Sequence, residues 1–81
     1  IGFGDADIAE KYFKKVLAIS PHNIDANYFY ALFLESEKGD YQSALNHLKV
    51  ALDSPSRNRP LADSERKKEI SRKIIEFQHK L

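Results

Sequence analysis

The chain contains no cysteine, methionine or tryptophan, and only three glycines and three prolines in 81 residues. Without cysteine there is no disulfide framework and no thiolate metal site. Three scattered glycines cannot build a glycine-rich phosphate loop. No apolar run approaches the roughly 18 residues of a membrane-spanning helix. An excess of one charge is missing as well. Thirteen Lys and Arg face twelve Asp and Glu, and a net charge of +1 points by itself to no polyanionic partner. This length allows one domain with a modest core, and an apolar share of 42% is ordinary for a folded protein.

What is present is helical periodicity between strong stops. The stretch from Gly39 to Leu52 reads as a turn followed by a capped helix. Gly39 can take a left-handed backbone and Asp40 can cap by accepting a backbone N–H. Ala44, Leu45, Leu48, Ala51 and Leu52 recur at three- and four-residue steps and share one face. A weaker copy begins at Gly4. At an offset of 35, Ala9 matches Ala44, Phe13 matches Leu48, Val16 matches Ala51 and Leu17 matches Leu52; Pro21 and Pro55 close the two copies at an offset of 34. A period of this size indicates stacked repeats.

Four helices follow from the pattern. The first spans Ala6 to Ser20 behind Asp5, with Ala9, Phe13, Val16 and Leu17 inward, Tyr12 and Ile19 at the margins, and Lys11, Lys14 and Lys15 in water. Pro21 stops it. Asn23 caps the second, Ile24 to Glu37, whose middle (Ala26, then Tyr28 to Leu34) leaves almost no polar face and predicts burial on both sides. The third runs from Tyr41 to Asp53. Residues 56–60 form a connector, and the last helix occupies residues 61–81, beginning between Leu61 and Ser64. It carries the stripe Ile70, Ile74, Phe77 and Leu81, helped by Ile75, and the pairs Asp63/Lys67, Glu69/Lys73 and Glu76/Lys80 at i,i+4.

These residues resemble the tetratricopeptide repeat, a helix–turn–helix unit of about 34 residues. Residues 24–55 resemble one full unit, with Ala31 at its small position, Gly39-Asp40-Tyr41 at its turn, Ala44, Leu48 and Ala51 on its second helix, and Pro55 at its end. Residues 5–21 resemble a lone second helix. Three departures stand out: Asn27 occupies a place the family usually gives to Trp or another large residue, Val16 replaces a small residue, and one extra residue within Glu35 to Lys38 lengthens the turn. The resemblance implies an all-α, right-handed solenoid fragment, residues 1–55, closed by a C-terminal capping helix, and a function in protein–protein interaction as the C-terminal part of a larger scaffold or adaptor. It further implies that Asp25, Tyr28, Leu32 and Glu35 face a concave groove able to take a protein or peptide partner. A Lys and an Asn that clamp a terminal carboxylate in one subclass are replaced here by Tyr28 and Leu32. With the upstream half of the first repeat missing, Phe13 and Val16 are expected to form an assembly face through which the isolated fragment self-associates.

No catalytic, cofactor or metal site is expected. His22, His47 and His79 fall in a loop, on a helix and near the end, without metal-ligand spacing. The seven serines suit caps, turns and helix surfaces, and none sits in a glycine-flanked elbow. Charge is nevertheless uneven. Residues 1–54 carry five Lys and eight carboxylates, whereas residues 55–81 carry eight Lys and Arg and four carboxylates. The basic segment Arg57, Arg59, Arg66, Lys67, Lys68, Arg72 and Lys73 supports an alternative reading as an RNA-binding helical repeat. Interleaved aromatics for base stacking are lacking, so nucleic acid is the weaker expectation.

Overall fold

The computed structural model describes residues 3–56 and 59–81. Among them all regular structure is helical: α1 (Ala6–Ile19), α2 (Ile24–Lys38), α3 (Tyr41–Asp53) and α4 (Pro60–Gln78). Each of the first three begins where a side chain replaces a missing helical acceptor. Asp5 accepts from the N–H groups of Asp7 and Ile8 at 2.9 and 3.2 Å, Asn23 from Ala26 at 2.9 Å and Asp40 from Ser43 at 3.0 Å. Such a cap contributes about 1 kcal/mol. The fourth helix starts one residue before the expected window. Pro60 sits in its first turn, where the missing N–H has no helical acceptor to lose.

Gly39 ends α2 in the left-handed region, at φ 61°. Its N–H bonds to Glu35 O at 3.1 Å and that of Asp40 to Leu34 O at 3.0 Å, so two terminal carbonyls are satisfied. The extra residue expected to lengthen this turn is absorbed by the helix instead. Residues 35–38 are all helical, and only Gly39 and Asp40 separate α2 from α3.

Neighbouring helices run antiparallel. Glu10 near the start of α1 meets Lys38 at the end of α2, at 3.6 Å. Tyr41 at the start of α3 meets Phe77 near the end of α4, with ring centroids 5.5 Å apart. Helix α2 touches all three others, which explains its nearly continuous apolar surface; Ala31 and Phe33 are wholly buried. In contrast α1 packs on α2 alone, and α4 packs on α3 and α2 without meeting α1. The chain is therefore an open stack rather than a closed bundle. It measures 31 × 30 × 19 Å, and the short dimension leaves room for no more than two helices of about 10–12 Å.

Three expectations change. Phe13 is not an open assembly face: it is buried inside the chain, with Phe3, Tyr30 and Phe33 ring centroids at 6.2, 5.4 and 5.8 Å. Phe3, just before α1, supplies the cover expected to be missing. Val16 is half-buried, and the exposed large apolar residues of α1 are Ile8, Tyr12 and Ile19. On α4, Ile70 and Phe77 are buried and Ile74 partly so, but Ile75 is exposed on the outer side of the helix and Leu81 lies beyond its end at Gln78. Its ion pairs also differ from the expected i,i+4 set. Glu69 is held by Arg72, Glu76 by Lys73 and Glu65 by Lys68, all at i,i+3.

Candidate functional site

Helix α2 carries the four residues expected to face a groove, and their fates differ. Tyr28 and Leu32 are buried, at 6% and 8% exposure, and form a floor instead of projecting anchors. Asp25 is half-exposed and already engaged. Arg59 Nη2 donates to one carboxylate oxygen at 2.8 Å and Arg66 Nε to the other at 3.1 Å. Glu35, in the last turn of α2, remains half-exposed.

The two arginines come from the start of α4, so α4 lies beside α2 and runs in the same direction. Arg66 also lies over the rings of Tyr28 and Phe29, 4.6 and 5.0 Å from their centroids. A cation held this way gains about 0.5–1 kcal/mol at an exposed site, and each half-exposed ion pair under about 1 kcal/mol. Burial of Ile70 and Phe77, worth about 1.5–3 kcal/mol each, decides the docking of α4. The charges set its register.

Between the two helices the surface forms two adjoining clefts. The first, of about 440 Å³, is polar and lined by Asp25, Arg59, Arg66 and Arg72 among others. The second, of about 360 Å³, is floored by Phe3, Tyr28 and Leu32 and edged by Glu35, Ser36, Glu69 and Lys73. They share Tyr28 and Glu69 and so form one continuous trough along α2. Arg72 reaches the Glu69 carboxylate at 2.7 Å, and this contact holds the Glu69 pKa below the usual carboxylate range.

Most of the basic residues that suggested nucleic acid have local partners. Besides Arg59 and Arg66 on Asp25, Lys68, Arg72 and Lys73 pair with acids on α4, and Lys67 Nζ donates to Ser54 O. Arg57 lies outside the described residues.

Behind the floor, Asn27 occupies the position where the resemblance would place Trp or another large residue. It is 1% exposed. Its Nδ2 donates to Pro21 O at 3.0 Å and to Asn23 O at 2.9 Å, leaving Oδ1 as the acceptor for His47 Nδ1 at 2.9 Å. Burial lowers the His47 pKa and so favours the neutral ring, and the Asn27 Oδ1 acceptor calls for a proton on Nδ1. Tyr30 lies edge-on to the His47 ring at 4.8 Å and donates to Glu10 at 3.3 Å. His22 is exposed in the α1–α2 connection and His79 at the end of α4. Among the described residues no three His, Asp or Glu converge as a metal site would require, and no helix is long and apolar enough to cross a membrane.

Sequence reasoning missed the Asp25–Arg59–Arg66 bridge and the Asn27–His47 pair. The partners are 34, 41 and 20 residues apart, and no local pattern links them. The one available signal was a polar Asn beside the apolar middle of α2. No family model matches the sequence, and no curated protein or solved structure shows significant similarity to it.

Proposed function

We propose that the chain is a tetratricopeptide-like helical-repeat module that binds another protein by holding a peptide segment in the trough between α2 and α4. The observation that carries this reading is a repeated backbone device. Gly4 and Gly39 are both left-handed, at φ 65° and 61°, and stand 35 residues apart. Each is followed by an Asp whose side chain caps the next helix three residues on, at Ile8 and Ser43. Single left-handed glycines are common, but two in the same role at the sequence period support a duplicated unit. In that frame α2 and α4 follow α1 and α3 as equivalents. They lie side by side, and the trough is the seam between them.

The open stack supports the same reading, since repeats that contact only their neighbours leave long faces free for partners. A nucleic-acid reading is weaker, because most cations of α4 already face carboxylates or a carbonyl. Few of them are left to displace counterions from a phosphate backbone.

The test is selection of peptides on the isolated chain, followed by NMR mapping of a selected peptide. Amide shifts concentrated at Tyr28, Leu32, Glu35, Ser36 and Lys73 are expected. Shifts confined to α1, or no selected peptide at all, would remove the capture reading.

A further inference from the structure

We propose that the trough selects a segment bearing a lysine or arginine next to an apolar residue, with the cation placed on Glu35. This rests on the capture reading above and adds the chemistry of what is captured. The apolar end of the trough offers Phe3, Tyr28 and Leu32 as a floor, and its volume of about 360 Å³ lies at the small end of ligand pockets. It has room for side chains rather than for a bulky cofactor.

Three charged residues edge this end, and two are matched within the chain. Arg72 contacts Glu69 at 2.7 and 3.2 Å, and Lys73 Nζ lies 3.6 Å from Glu76. The Glu35 carboxylate has neither a hydrogen bond nor an ion pair among the described residues. It also sits in the last turn of α2, at the negative end of the helix dipole. Both fields attract a cation. An acidic segment would be repelled by Glu35 and would have to displace Glu69 from Arg72 or Glu76 from Lys73. A purely apolar segment would cover the floor and strip water from an unmatched carboxylate, which is unfavourable.

The experiment compares two fluorescein-labelled probes, Gly-Phe-Lys-Phe-Gly and Gly-Phe-Glu-Phe-Gly, by anisotropy on the same protein. The lysine probe is expected to bind at least about five-fold tighter at low salt, with the gap narrowing as the screening length falls toward about 3 Å at 1 M. Glu35→Gln should remove the preference and Glu35→Lys reverse it, while Glu37→Gln, an exposed neighbour outside the cleft, should leave it intact. Equal or tighter binding of the glutamate probe, or a preference that survives Glu35→Gln, overturns the proposal. If both probes bind equally and still shift the amides of Leu32 and Glu35, capture stands and the cation preference falls. If neither binds and no trough amide shifts, both fall.

Discussion

Asn27 is the residue whose chemistry most departs from its surroundings. A buried amide is tolerable only because all its polar atoms are matched, to Pro21 O, Asn23 O and His47. Asn27→Ala leaves the Pro21 carbonyl and an imidazole N–H without their partner, while Asn23 O keeps the backbone N–H of residue 27, at a cost of about 1–3 kcal/mol. Thermal melting should show a midpoint lower by about 4–8 °C for each kcal/mol; an unchanged midpoint would mean water replaces the amide freely. The same pair makes a pH prediction. His47 is lowered below its ordinary value of about 6.5, so the unfolded chain takes up the proton first. Its contribution is complete above that value and fades as pH falls toward the folded pKa. His47→Gln keeps a donor for Asn27 and removes the titration, so melting of the variant should vary less between about pH 5 and 7. Parallel pH curves for the two proteins would place the acid sensitivity elsewhere.

Elements were more legible than residues. The first three helices start where Asp5, Asn23 and Asp40 predict and stop within a residue of expectation, because caps and breakers act over three or four positions. Gly39 tests this directly. No neighbouring atom would crowd a β-carbon there, so only the left-handed backbone resists substitution. Gly39→Ala should therefore cost about 1–2 kcal/mol, and Gly39→Asn less, as read from denaturant midpoints; equal values would show that the turn relaxes. Ala44 and Ala51 test the packing side of the same unit. Both are fully buried, and Leu at either should overpack at about 1–3 kcal/mol. Less was legible in α4. Its stripe located Ile70 and Phe77, but neither the exposure of Ile75 nor the Asp25 bridge follows from spacing, since both depend on how α4 lies against α2. The same limit applies to the candidate site. Sequence spacing put Asp25, Tyr28, Leu32 and Glu35 on one side of α2, but only the packing of α4 buries two of them, engages the third and leaves the fourth open.

At the scale of the molecule, the open stack predicts uneven stability. Helix α2 is held from three sides and α3 from two, whereas α1 meets the rest through α2 alone. Its attachment consists of Phe13, the half-buried Ala6, Ala9 and Leu17, and polar links from Glu10 to Tyr30 and Lys38. The polar links are partly exposed and contribute little, so Phe13 dominates. Replacing a buried Phe by Ala typically costs about 3–5 kcal/mol, a large part of the roughly 0.05–0.15 kcal/mol per residue that small domains possess. Native-state hydrogen exchange should then rank the helices, with α1 amides opening at lower free energy than those of α2 and α3. Phe13→Ala should abolish protection in α1 first, at any protein concentration, because the ring is buried within its own chain. Equal protection across α1, α2 and α3, lost together in the variant, would show one cooperative unit in place of a stack. Protection of α1 that rises with concentration would restore an association face, and the exposed Ile8, Tyr12 and Ile19 would be where to seek it.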